Sequence, residues 1–149
     1  MGVFDWYQDL GEIRDEVDNY ELRDIYSNVL KRYRDSLDDE DYLTSFILIQ
    51  SLLEDRIYVL YRLYSSVNGS QLSLETLHRS YTLMRCIKDL TNDGWIPHLL
   101  SKDLITSTHL RNKFIHYSFI GLEHYDHKLS DGFYQLFRSV DKLIRSNNQ

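Results

Sequence analysis

The stretch DYLTSFILIQSLLEDRIYVLYRLYSSV, residues 41–67, decides the fold. Tyr42, Phe46, Ile49, Leu53, Ile57, Leu60, Tyr64 and Val67 fall on one stripe of a helix that advances about 100° per residue. Neither glycine nor proline interrupts the run, and no apolar–polar alternation competes with the helical period. The spacing predicts a helix about 40 Å long by rise per residue, long for a small domain, and Asn68-Gly69 is a strong stop signal after it.

Helical spacing continues on both sides. Leu22, Ile25, Tyr26, Val29, Leu30 and Tyr33 predict a first helix from about Tyr20 to Arg34, preceded over Tyr7 to Val17 by an earlier turn or a bent part of the same helix. A third is predicted from Ser73 to Leu90 on Leu74, Leu77, Tyr81, Met84 and then Ile87 or Lys88, ended by Asn92-Asp93-Gly94. A fourth runs from Lys102 to Tyr117, with Ser101 as N-cap and Asp103 near its positive end. A fifth runs from Ser130 to Arg145, with Ser130 as its cap and Phe133, Leu136, Phe137, Val140 and Leu143 apolar. With one proline, Pro97, and six glycines, the chain has few breakers. These signals predict an all-α antiparallel bundle of four to five helices with short loops, in one domain over residues 1–149.

Composition narrows the class of protein. An apolar content of 42% and 12 tyrosines belong to a packed chain, not a disordered one. The net charge of −6 argues against nucleic-acid binding through bulk charge, so a nucleic-acid partner would need a local basic groove or one made at a subunit interface. Cys86, the single cysteine, rules out an internal disulfide, suits a reducing cytoplasm and fits a small core position. No secretory signal is expected, since Asp5, Asp9, Glu12, Asp15, Glu16 and Asp18 crowd the first 25 residues. No run of about 18 apolar residues predicts a membrane span, and Trp6 replaces the Ser or Thr that a myristoylation signal wants after Met-Gly.

Charged residues break the apolar pattern in two places. On the fourth helix Leu104, Leu110, Phe114, Ile115 and Tyr117 define the apolar side, and Arg111 falls inside that arc. A guanidinium keeps its proton, so it must be paired or face a wet cleft or an interface. Asn112 and His116, four residues apart, share a face at the border of the arc. Arg111 and His116 lie roughly 140° apart around the helix. They can serve one site only if Arg111 swings round the edge or two copies of the helix face each other. On the second helix Glu54 sits just beyond the apolar stripe and Arg56 within it. Glu54 is a candidate partner for Arg111, and Arg56 a candidate lining residue of the same cleft. The competing expectation is a buried Arg111–Glu54 ion pair that fixes register and does no chemistry.

The hexamer Arg111-Asn112-Lys113-Phe114-Ile115-His116 resembles the defining motif of the HEPN superfamily (higher eukaryotes and prokaryotes nucleotide-binding domains): an Arg, usually a polar residue such as Asn, then a His four to six positions after the Arg. The motif falls late in a small helical chain, after a long helix bearing an acidic residue. The resemblance implies a helical bundle that commonly dimerises with the motif helices face to face. It also implies a metal-independent endoribonuclease, including toxins of toxin–antitoxin and phage-defence systems, or a member that has lost catalysis and binds a partner protein or nucleotide. In the first case RNA is the substrate because its 2′-hydroxyl is the nucleophile. His116 would take or deliver a proton. Arg111 would hold the scissile phosphate, and Asn112 would orient His116 or donate to the phosphate. Glu54, Arg56, Lys113 and Tyr117 would support them. One toxin branch carries, two residues after the His, a Tyr that its nucleotidyltransferase antitoxin modifies; here Tyr117 follows His116 directly and position 118 is Ser.

No cofactor or metal is expected. His124, Asp126 and His127 lie close in sequence, but a zinc site needs three or four convergent ligands and no second cluster stands out. His78, His98 and His109 are scattered and receive no role, and Asn68-Gly69-Ser70 lacks the pattern of a phosphate-binding loop.

Overall fold

The computed structural model describes residues 2–3, 19–116 and 121–147. Among the described residues are six α-helices and no strand: α1 (Asn19–Asp38), α2 (Tyr42–Val67), α3 (Leu74–Ser80), α4 (Leu83–Asn92), α5 (His98–His116) and α6 (His127–Asn147), with a 3-10 turn at Leu122–His124. The all-α expectation holds over these residues. The segment expected to form a turn or bend at Tyr7–Val17, and Tyr117, lie outside them.

α2 is the axis. Leu52, Leu53, Ile57, Tyr58, Val59, Leu60 and Tyr61 are all buried, so its middle is covered on every side. Its most extensive packing is on α6, followed by α1, α4 and α3. Cross-contacts give the directions. Ser45 meets Ser130, Phe46 meets Phe133 and Arg56 meets Asp141, so α6 runs parallel to α2. Phe46 meets Phe114 and Glu54 meets Arg111, so α5 runs antiparallel to it. Sequence neighbours α1 and α2 are antiparallel, but the central pair α2–α6 is not. Buried side chains from all six helices form one cluster, with Ile49, Leu60, Ile87, Leu104 and Val140 fully inside. Each such side chain contributes roughly 1.5–3 kcal/mol through removal from water.

Three helix ends share one device. After α1, the Asp41 N–H reaches the Ser36 carbonyl (2.8 Å) and the Glu40 N–H the Leu37 carbonyl (3.1 Å). The same pair of bonds closes α2 around Gly69 and α4 around Gly94. The closing residue takes positive φ each time: Gly69 at 87°, Gly94 at 78° and Glu40 at 58°. Glycine adopts that conformation without steric cost, whereas Glu40 bears one. Asp41 then caps α2, accepting from the Thr44 N–H (3.2 Å) and hydroxyl (2.6 Å).

Three boundaries differ from the sequence reading. The helix expected over Ser73–Leu90 is two helices. Tyr81 and Thr82 are extended, the Tyr81 carbonyl accepts from the Tyr58 hydroxyl (2.8 Å), and the Thr82 side chain caps α4 by accepting from the Arg85 N–H (3.1 Å). α5 begins at His98, so Ser101 is not a cap; it is buried, with its hydroxyl 2.8 Å from that of Thr91. α6 begins at His127 and is capped by Asp126, which accepts from the Leu129 N–H (2.8 Å); Ser130 is buried against Ser45 at 2.7 Å. In the last two cases a small hydroxyl that looked like a cap closes a tight helix–helix contact instead.

Candidate functional site

The packing face of α5 is polar. Its buried residues are Ser101, Leu104, Ser107 and Thr108, and Arg111 continues that face. Ser107 and Thr108 hydroxyls donate to the Leu104 carbonyl (2.7 and 3.0 Å), so they enter the interior already hydrogen-bonded. Against the expected apolar side, Ile115 is 54% exposed, and Leu110 is only partly buried. Phe114 does turn inward, onto Phe46 and Tyr125.

Arg111 reaches from this face to α2. One terminal nitrogen donates to Glu54 Oε2 (3.1 Å) and the other to Asn112 Oδ1 (3.1 Å). The side chains of Arg111 and Glu54 are 28% and 22% exposed, so the pair is mostly covered but still touches water. Arg111 Nε is buried and has no hydrogen-bond partner among the described residues, an arrangement that costs about 1–3 kcal/mol. A void of about 10 Å³, the room of one water molecule, lies against Gln50, Glu54, Ser107, Thr108 and Arg111.

The other side of the pair is open. A cleft of about 540 Å³ is walled by Glu54 and Tyr58 of α2, His78 of α3, Tyr81 and Thr82 at the α3–α4 break, and Arg111 and Asn112 of α5. The extended backbone at Tyr81 separates α3 from α4 and leaves this opening beside Arg111. The His78 ring lies 4.2 Å from that of Tyr58, centroid to centroid. Burial pushes the Tyr58 phenol up to about 12, with Cys86 and Glu54 adding to the rise and Arg111 opposing it. Tyr58 therefore keeps its proton at neutral pH and serves as a donor to Tyr81, not as a base. Burial likewise pushes the Cys86 thiol up to about 12, which makes it an inert core residue and no nucleophile.

The remaining candidates are dispersed. His116 is the last residue of α5 and exposed; it lines neither cavity, in keeping with its angular separation from Arg111. Lys113 is exposed as well. Arg56 does not line the cleft, contrary to expectation. It turns to α1 and α6, where it contacts Asp141 (3.5 Å), Asp55 (3.2 Å) and the Tyr26 hydroxyl and packs 4.1 Å over the Tyr26 ring. Its position inside the α2 stripe reflects burial in a structural cluster. His78 was missed because its only signal, one His at helical spacing, gains meaning from the break at Tyr81. Among the described residues no group of three His, Cys, Asp or Glu is arranged to hold a metal ion. Among them also, no helix is long and apolar enough to cross a membrane.

No family model, curated protein or solved structure matches the chain.

Proposed function

We propose that the protein is a HEPN-type, metal-independent endoribonuclease that works as a homodimer, in the manner of a toxin or phage-defence effector with a cognate antitoxin or partner protein. The observation that carries this reading is Arg111, held by Glu54 and Asn112 on the wall of an open cleft while His116 stands exposed at the end of the same helix. The pair is 28% and 22% exposed and borders a cleft of about 540 Å³, so a ligand can reach Arg111, which favours this reading over a fully buried register-fixing pair. The separation of Arg111 from His116 fits a composite site, in which one subunit's Arg111 holds the scissile phosphate and the other's His116 moves the proton. The 2′-hydroxyl attacks phosphorus, the bond to the 5′-oxygen breaks, and the hydroxyl proton passes through imidazole to the leaving oxygen. The products carry a 2′,3′-cyclic phosphate and a 5′-hydroxyl.

Mixing tests both parts of the reading. Arg111→Ala and His116→Ala are each expected to be inactive on RNA in EDTA, while an equal mixture recovers about a quarter of wild-type cleavage, since half the dimers are mixed and each holds one intact site. Wild-type protein that leaves RNA whole, or cuts strands with 2′-deoxy sugars equally well, rules the reaction out. The second reading is a non-catalytic HEPN-like module for a partner protein or nucleotide. It is favoured by the net charge of −6 and by an Arg111 already engaged with Glu54. Under it, His116→Ala changes partner binding and no reaction.

A further inference from the structure

We propose that His78, outside the Arg–His motif, completes the Arg111 cleft within one chain as a binding residue for the phosphate of a nucleotide. The inference rests on the reading of Arg111 as a phosphate-holding group. It is carried by the meeting of two side chains with N–H donors, from different helices, on one solvent-open cleft: the Arg111 guanidinium from α5 and the His78 imidazole from α3, beside Arg79. The charged and titratable groups on and beside the cleft that His78 lines are Glu54 and Tyr58 on α2, Tyr81 at the α3–α4 break, Arg111 on α5, and Arg79 and Glu75 on its own helix. Glu54 is engaged by Arg111 and Glu75 by Arg79, so the anions near the imidazole are already paired. Asn112 adds a neutral amide to the same wall.

Size and lining favour a nucleotide over bare phosphate. About 540 Å³ is several times the volume of a phosphate and lies within the roughly 300–1,000 Å³ of small-molecule sites. Tyr81, whose ring is only part-buried, lines it and offers aromatic surface to a base, whereas Tyr58 is buried behind His78. Tyr58 also fixes the geometry: its ring supports the His78 ring, and its hydroxyl is tied to the Tyr81 backbone. A ring N–H of an imidazole there can donate to a phosphate oxygen, and an anion beside an imidazole favours its protonated form.

The test follows the histidine ring protons by NMR during pH titrations of the full chain, with His78→Gln and His116→Gln assigning the signals. The probes are uridine 3′-monophosphate and, separately, inorganic phosphate. The nucleotide is expected to raise the His78 midpoint by about one unit, the size of shift a nearby opposite charge produces, and inorganic phosphate by less. The Arg111→Ala variant should lose the shift while its folded spectrum persists. An unmoved His78 midpoint at millimolar nucleotide overturns the proposal, and equal shifts with both probes overturn its nucleotide part. Loss of RNA cleavage in Arg111→Ala with an unmoved His78 leaves the proposed reaction standing and removes His78 from it. A shifted His78 in a protein that cuts no RNA does the reverse.

Discussion

Arg56 and Arg111 make an instructive pair. Both reach carboxylates from the faces of long helices, and both leave a buried Nε without a hydrogen-bond partner among the described residues. Arg56 is enclosed: its side chain is 10% exposed, and it is gripped by Asp55, Asp141 and the ring and hydroxyl of Tyr26. Asp141 in turn accepts from Arg145 at 2.8 Å, which joins α2, α6 and α1 in one network. Arg111 has one carboxylate and one amide, and its remaining side opens on a cleft. The same residue type is thus spent once on holding three helices together and once on a surface that a ligand can reach. Enclosure, not charge, separates the two roles.

The sharpest way to break this comparison is to remove each arginine. Arg56→Ala takes the central cation from the network, leaving Asp55 to Tyr26 and Asp141 to Arg145, and is expected to cost about 3 kcal/mol, read by urea unfolding. Arg111→Ala is expected to cost about 1 kcal/mol, because Glu54 can turn to water. Equal losses would erase the distinction. Tyr58→Phe removes the phenol bond to the Tyr81 carbonyl and is expected to cost about 1 kcal/mol by the same measurement, while loosening the α3–α4 break that frames the cleft.

That phenol also sets a pH dependence. Its folded value of about 12 lies above the ordinary 10, so the folded state holds the proton more tightly than the unfolded chain. The associated stability is fully present below about pH 10 and is lost as pH rises toward 12. Unfolding scans at pH 9 and pH 11 are expected to show a smaller loss in Tyr58→Phe than in wild type. Tyr33, also raised to about 12 by burial and then Asp131, supplies a similar slope that remains in both proteins. The smallest effect belongs far from either arginine: Glu40→Gly, at φ 58°, is expected to gain about 0.5 kcal/mol in thermal unfolding.

Much of the bundle was legible because long helices advertise themselves. The 41–67 stripe, Asn68-Gly69 and Asn92-Asp93-Gly94 marked α2 and the ends of α2 and α4, and the pairing of Arg111 with Glu54 followed from wheel geometry. Features that depend on what lies across a contact were hidden. Ser101 and Ser130 read as caps locally but pack against Thr91 and Ser45. Ile115 read as core yet is exposed, because α5 packs through serine and threonine whose hydroxyls bond back to its own carbonyls. The break at Tyr81 left no glycine or proline behind, so the cleft and His78 could not be inferred.

The proposed action of Arg111 and His116 on RNA is tested most directly by comparing wild type, Arg111→Ala and His116→Ala in one assay. Each protein, shown to be folded by its melting curve, is incubated with mixed RNA in EDTA, and the new ends are identified. The expected result is cleavage by wild type to 2′,3′-cyclic phosphate ends, with both variants slower by about 100-fold or more, the scale of a lost acid–base or charge-stabilising group. Equal cleavage by all three, or none by wild type, would contradict it.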